Sequence, residues 1–155
     1  WILNTGIRLF KYLKGKAVLR CRVILETGGQ KIELKGLLDT GNCLTDTDTG
    51  KPVCVMEKSR FSGMLEKKQQ DALESFCAME DFGEGDAENL KPRFLIYTAL
   101  GCERGLLPVV TADRLVIFWE GKKICLSQAA IGLSDAPLSP YGKFEIIISP
   151  KILDS

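Results

Sequence analysis

The residues with the clearest chemical potential lie in the stretch KGLLDTGNCLTDTDTGKP, residues 35–52, which contains the triplet D-T-G twice. The first copy, Asp39-Thr40-Gly41, follows an apolar run, whereas the copy at 48–50 follows polar residues. An aspartate at the end of a buried strand suits hydrolysis by activated water. The threonine hydroxyl can lock such a turn, and the glycine lets backbone and substrate approach closely. The two copies therefore need to be told apart by their context.

Catalysis by paired carboxylates requires neither histidine nor a metal. Two carboxyl groups held about 3 Å apart share one proton, so their pKa values split. The ionised group takes a proton from water, and the protonated group polarises the scissile carbonyl. The chain contains no histidine, which excludes Ser-His and Cys-His nucleophiles and histidine-based metal sites. We expect no metal, no cofactor and an acid-to-neutral pH optimum.

The second triplet has the context of an exposed hairpin turn, because its neighbours are polar residues and a proline. Asp39 and Asp48 are nine positions apart within one strand-turn-strand unit, so they are poorly placed to form a dyad with each other. The chain is too short for two equivalent lobes and shows no internal repeat. A two-fold homodimer, in which each chain gives one Asp39 at the axis, is then the source of the second carboxyl.

Most of the chain has the patterning of β-strands, with Gly-containing turns between them. Apolar residues at helical spacing predict one main helix over residues 63–79, with Ser62 as its N-cap. A mostly β fold with one main helix follows from this pattern. The predicted strands cover residues 16–26, 31–39, 93–100, 106–110, 114–119, 122–132 and 143–149, with short strands on either side of the second triplet.

Composition limits the functional classes. A chain of 155 residues with 45% hydrophobic content predicts one globular domain, residues 1–155. The net charge of +1 provides no general attraction to nucleic acid. The six cysteines form no C-x-x-C pair, so we expect reduced thiols. No apolar run reaches the roughly 20 residues of a membrane span, so we expect this piece to be soluble. Because it starts at Trp1, we also expect it to be a fragment or a processed product.

The stretch GGQKIELKGLLDTGN, residues 28–42, resembles the active-site hairpin of retroviral-type aspartic proteases, and AAIG at 129–132 resembles the second signature of that fold. The hairpin with its tip at 101–105 has the place of the flap that closes over a bound peptide. The resemblance implies a retropepsin-like closed β-barrel with a flap hairpin. It implies three catalytic residues, Asp39, Thr40 and Gly41. The substrate-binding residues that it implies are Asn42, Tyr97, Gly101, Gly105, Ile131 and Gly132.

The resemblance is closer to the family of sporulation sigma-E factor-processing peptidases of endospore-forming bacteria. Its segments here are residues 35–53, 93–117, 129–134 and 144–153. This resemblance implies that a membrane-spanning part precedes the protease domain and anchors the full-length protein. It also implies removal of the N-terminal pro-segment of a pro-sigma factor, at the cytoplasmic side of the cell membrane.

Alternatives to an aspartic endopeptidase follow from the same residues. A non-catalytic peptide-binding β-barrel, inactive as an isolated monomer, would use the same groove without a dyad. A thiol enzyme is disfavoured because no histidine is present to activate Cys43. For Tyr97, packing within the flap hairpin is the alternative to hydrogen bonding near the site. The segment 133–144 is too rich in Pro, Ser and Gly to favour the helix that commonly follows Ile-Gly in retroviral-type proteases.

Overall fold

The computed structural model describes residues 19–39, 41–42, 44–80, 85–98 and 104–154. Within these residues the chain forms seven β-strands. They are β1 (Arg20–Thr27), β2 (Gln30–Leu38), β3 (Val53–Glu57), β4 (Arg93–Thr98), β5 (Arg104–Trp119), β6 (Lys122–Ser134) and β7 (Ile146–Ile148). The α-helices are α1 (Lys58–Ser62) and α2 (Lys67–Cys77), and 3-10 helices cover Glu88–Leu90, Pro140–Gly142 and Pro150–Asp154.

Six of the strands close into a barrel. The order around the ring is β1-β2-β7-β3-β6-β5, and β5 pairs with β1 to complete it. The pairs β2–β7 and β3–β6 are parallel, and the other pairs in the ring are antiparallel. Strand β4 lies outside the ring, and among the strands of the described ranges it pairs only with β5. The predicted closed barrel with a hairpin projecting from it is thus confirmed.

Local sequence explains the first hairpin. Val23 and Leu25 alternate with more exposed residues along β1 and are fully buried. The turn places Gly28 and Gly29 at φ of +57° and +80°, which residues with a Cβ adopt only at a cost. The carboxylate of Asp113 accepts a 2.9 Å hydrogen bond from the Gly28 N–H and holds this turn against β5. The predicted hairpin is confirmed.

Strand β5 differs from the sequence prediction. We expected separate strands at 106–110 and 114–119, but one strand of 16 residues runs through both. The intervening Ala112 is fully buried in the barrel, and Thr111 pairs with Ala130. Because Ala112 is buried on the inner face of the barrel, the strand continues through the segment Thr-Ala-Asp at 111–113. As a result the flap hairpin, formed by β4 and β5, shares a continuous strand with the barrel wall.

The helical region is shorter than predicted and divided. The expected helix at 63–79 is observed as α2, Lys67–Cys77, preceded by the single turn of α1. Ser62 ends α1 and is not the N-cap of α2, which is Glu66. The Gln69 side chain accepts a 3.3 Å hydrogen bond from the Glu66 N–H and so caps the N-terminal end of α2. Among the described residues, no helix has the length and apolar character to cross a membrane.

Two apolar clusters occupy opposite faces of the sheet. Along β3, Cys54 and Met56 point into the barrel, whereas Val53 and Val55 point to the other face, because side chains alternate along a strand. We call the group on that other face the second cluster. Its buried members are Val53, Val55, Leu95, Leu107, Val109, Ala130, Leu138 and Ile147. The second cluster joins the flap hairpin to the barrel wall.

Candidate active site

Asp39 follows directly on β2, where the apolar run of that strand ends. Its N–H donates a 3.1 Å hydrogen bond to the Ile148 carbonyl, which continues the parallel pairing of β2 with β7. The residue is only 3% exposed, although aspartate is usually found at the surface. The fold therefore fixes a carboxyl group at the end of a core strand, as the sequence predicted.

A tight turn after Asp39 fixes the direction of its side chain. The Gly41 N–H donates to Asp39 Oδ1 at 2.7 Å, and the Asn42 N–H donates to the Asp39 carbonyl at 3.0 Å. Gly41 thus supports the carboxyl through its backbone. Thr40, whose hydroxyl we expected to lock the turn, lies outside the described residues, as does Cys43. We call residues 39–42 the Asp39 turn.

Burial raises the pKa of the Asp39 carboxyl above its ordinary value, and the Gly41 N–H opposes this only in part. Removal from water penalises the charged form, so the proton is held to a higher pH than in an exposed aspartate. A carboxyl of this kind is suited to donate or to share a proton during hydrolysis.

Asp39→Asn is expected to stabilise the fold at neutral pH, because it removes a buried charge and keeps the acceptor for Gly41. With a raised folded-state pKa, the stability from protonated Asp39 is fully present below the unfolded value, about 3.9, and is lost as pH rises through the folded value. We expect a gain on the order of 1 kcal/mol at pH 7, or about 2–4 °C in Tm, that disappears in acid.

Thermal unfolding of both proteins between acid and neutral pH measures this gain. The matched control is Asp48→Asn, since the Asp48 side chain is 67% exposed and forms only a 3.8 Å pair with Arg93, so that the substitution should change stability by less than about 0.5 kcal/mol. Equal stability of the Asp39→Asn protein and the parent at pH 7 would contradict the assignment of a buried carboxyl with a raised pKa.

Asn42 uses its side chain within the chain. Its Nδ2 donates to the Val53 carbonyl at 3.0 Å, and its Oδ1 accepts a 3.1 Å bond from the Leu44 N–H. The Ser149 hydroxyl donates to the Asn42 carbonyl at 3.3 Å. Asn42 therefore ties the Asp39 turn to β3 and to the segment after β7. Contact between Asn42 and substrate stays a prediction.

Ile131 and Gly132 lie on β6 beside β3, where Val55 pairs with Gly132. Ile131 is fully buried in the barrel core. A Cβ atom on residue 132 would lie 2.7 Å from Leu107 Cδ2, which is closer than side chains pack, and 3.2 Å from Val53 Cγ1, which is a tight contact. Gly132 thus allows β3 and β5 to meet through the second cluster. Substrate contacts by these two residues also stay predictions.

Tyr97 and Gly105 face each other across the flap hairpin. A Cβ atom on residue 105 would lie 2.2 Å from the Tyr97 ring, so the ring occupies the space above the glycine. Tyr97 is half-buried and packs against the second cluster. Gly105 belongs to β5, on the stem of the hairpin, and Gly101 lies outside the described residues. Tyr97 therefore packs within the hairpin, and its contact with substrate stays a prediction, as does the composition of the hairpin tip.

The second D-T-G is a turn, as predicted. Residues 47–49 form it, and the Gly50 N–H donates to the Asp46 carbonyl at 2.7 Å. Asp46, which the sequence pattern does not single out, is 2% exposed and is bound by the guanidinium of Arg93. Asp46 and Arg93 are 47 positions apart, so no local sequence pattern indicates their contact.

Comparison with known proteins shows that the chain is a member of a peptidase family. The model of this family matches residues 1–152, so it includes the Asp39 turn, the flap hairpin and β6. The family is that of sporulation factor SpoIIGA, Peptidase_U4, and the chain belongs to it.

Three relatives illustrate the match. A protein described as a sporulation sigma factor-processing peptidase in Bacillus thuringiensis subsp. kurstaki is 30% identical over 135 residues, which are 86% of this chain and 84% of the relative. The sporulation sigma-E factor-processing peptidase of Bacillus subtilis strain 168 is 30% identical over 141 residues, 86% of this chain and 44% of the relative. That of Priestia megaterium strain ATCC 12872 / QMB1551 is 27% identical over 127 residues, 80% and 41% respectively. The chain therefore spans less than half the length of the latter two.

Proposed function

We propose that this chain is the protease domain of an aspartic endopeptidase that acts as a homodimer, with Asp39 as the catalytic residue of each chain. The single observation that carries the proposal is the buried Asp39 carboxyl at the end of β2, held by the Gly41 N–H. Family membership supports a peptidase, and the position of the carboxyl supports the aspartic type.

In the proposed reaction, two Asp39 carboxyls meet across a two-fold axis and share one proton. The ionised carboxyl takes a proton from water, and the water oxygen bonds to the scissile carbonyl carbon. The protonated carboxyl gives its proton to the carbonyl oxygen. Collapse of the tetrahedral intermediate breaks the C–N bond: the carboxyl that took the proton from water gives it to the leaving amine, and the other carboxylate takes a proton from the hydroxyl group that becomes the product carboxyl. Thr40 and Gly41 shape the turn that aims each carboxyl.

The proposed substrate is the N-terminal pro-segment of a pro-sigma factor, cleaved during sporulation. The names of the relatives support this substrate, since they describe processing of a sigma factor. We further propose that the full-length protein is membrane-anchored and that cleavage takes place at the cytoplasmic side of the membrane. The flap hairpin would close over the bound segment, with Tyr97 and Gly105 on its stem.

The dependence of the cleavage rate on enzyme concentration tests the proposed dimer. The rate per chain should rise with concentration and level off where sedimentation shows that dimers predominate, because each chain has one Asp39. Measurements need a purified pro-sigma factor as substrate over a range of enzyme concentrations that brackets dimerisation. A constant rate per chain through the monomer range would refute a dyad made by two chains. Binding of the substrate by a strict monomer without cleavage would instead favour the non-catalytic peptide-binding barrel.

A further inference from the structure

The guanidinium of Arg93 binds the buried carboxylate of Asp46 in a bidentate geometry. Nε donates to Oδ1 at 3.1 Å and to Oδ2 at 3.2 Å, and Nη2 donates to Oδ2 at 2.5 Å. The Arg93 side chain is 14% exposed and that of Asp46 is 3% exposed. Arginine in a planar fork of this kind fixes orientation as well as distance.

Nη1 of Arg93 binds the segment just before β4 and the neighbouring strand β5. Nη1 donates to the Lys91 carbonyl at 2.7 Å and to the Thr111 hydroxyl at 3.0 Å. Arg93 is the first residue of β4, and Thr111 lies on β5. One side chain therefore holds both strands of the hairpin at the point where it leaves the barrel.

The second D-T-G turn organises the acceptor. The Thr49 hydroxyl donates to Asp46 Oδ2 at 2.7 Å, and the Asp48 N–H donates to Asp46 Oδ1 at 3.2 Å. These bonds leave Asp46 in one orientation, with its oxygens toward Arg93. The second D-T-G turn thus holds the Asp46 carboxylate in the position where it binds Arg93 of the flap hairpin.

A series of short hydrogen bonds connects this acceptor to the Asp39 turn. The Asp46 N–H donates to the Lys51 carbonyl at 2.8 Å, and the Val53 N–H donates to the Leu44 carbonyl at 3.0 Å. The Leu44 N–H in turn donates to Asn42 Oδ1, within the Asp39 turn. The path from the Asp39 turn to Asp46 therefore consists of backbone hydrogen bonds and of the buried Asn42 side chain.

We propose that Arg93 is a positioning residue that sets the flap hairpin at a fixed orientation to the Asp39 turn, with Asp46 as its receptor. Its link to catalysis rests on the proposed function. The contacts of Arg93 with Asp46, Lys91 and Thr111, which we call the clamp, do not depend on the proposed function. They are defined by β4, β5 and residues 44–52. Without the clamp, the hairpin would keep its attachments through β5, the second cluster and the stacking of Phe94 on Phe76 of α2, and peptide bound beneath it would be held less firmly.

Hydrogen exchange of Arg93→Lys measures the clamp directly. Lysine keeps the charge but loses the fork, so amides of β4 and of residues 104–110 should exchange about tenfold faster or more, while the β1–β2 hairpin keeps its protection. Thr111→Val removes one bond and should give a smaller increase in the same residues. The matched control is Arg114→Lys, also on β5, whose guanidinium lies 3.9 Å from Glu26 on the barrel wall. It should leave exchange in the flap hairpin unchanged.

Kinetics of the same variants separate positioning from a general structural role. Arg93→Lys should raise KM for a pro-sigma factor about tenfold and leave kcat within about twofold, because the flap acts on bound substrate. A merely structural role would lower the active fraction, and hence the apparent kcat, with KM unchanged. Unchanged KM, or unchanged flap exchange in a folded Arg93→Lys protein, would overturn the proposal. If the parent chain cleaves no substrate, the proposed function fails and the exchange result alone decides on the clamp.

Discussion

Cleavage of a pro-sigma factor is expected to fall by about 10³-fold or more in the Asp39→Asn protein, since an amide cannot take the proton from the attacking water. The substitution keeps the size of the side chain and the oxygen that accepts from Gly41. The fold should therefore persist, and the loss should appear in kcat. Initial rates at saturating substrate measure it. Asp48→Asn, in the exposed turn with the same three letters, should cleave like the parent protein.

Mixing the two proteins tests whether one chain needs the Asp39 of another. With free exchange of subunits, an equal amount of the Asp39→Asn protein should reduce the activity of the parent to about half, because half of the parent chains then sit in dimers with one aspartate. An excess should reduce it further. The Asp48→Asn protein, added in the same way, should not inhibit. Undiminished parent activity in a mixture shown to contain mixed dimers would contradict the shared dyad.

Arg93→Met is expected to destabilise the fold by about 3–5 kcal/mol at neutral pH, because it leaves the Asp46 carboxylate buried without its partner. This corresponds to a drop of about 10 °C in Tm for a chain of this size. Burial alone would raise the pKa of Asp46. Arg93, the Thr49 hydroxyl and the Asp48 N–H outweigh burial and hold that pKa below its ordinary value.

The sign of the pH dependence follows from this lowered pKa. The stability that the pair contributes is present above the unfolded value of about 3.9 and is lost as pH falls through the folded value. The gap between the parent and Arg93→Met should therefore be widest near neutral pH and narrow in acid. Urea unfolding at several pH values measures it. The matched control is Lys67→Met, which breaks the exposed 3.0 Å pair with Asp71 and should cost less than about 0.5 kcal/mol. A similar cost for both variants would contradict a buried ion pair.

Much of the fold could be predicted because its signals are local. The Gly28-Gly29 turn, the alternation along β1 and the apolar run before Asp39 are readable within a few residues. The flap hairpin and the β5–β6 hairpin, with its turn at Glu120-Gly121, are likewise adjacent in sequence. The burial of Asp39 follows from the strand that it ends. The residues of the proposed mechanism lie in one short stretch, 39–41, so the sequence alone suggests them.

Contacts between distant segments could not be predicted in this way. The closure of the barrel by β1 and β5, the continuity of β5 through Thr111, and the Arg93–Asp46 pair all depend on packing across the sheet. Nothing in the residues around Asp46 distinguishes it from Asp48, yet one is buried and the other is exposed. Local composition therefore predicts the turn but not which of its two carboxylates is buried.

The parallel pairing of β2 with β7 has a consequence for the order in which the chain is made. The Asp39 N–H meets the Ile148 carbonyl, and the Ser149 hydroxyl reaches the Asn42 carbonyl across a separation of 107 residues. During synthesis, the aspartate leaves the ribosome long before the strand that fixes it, and contacts of such long sequence separation form late in folding. A nascent chain that has not yet released residues 146–149 therefore lacks the contacts that fix the Asp39 turn.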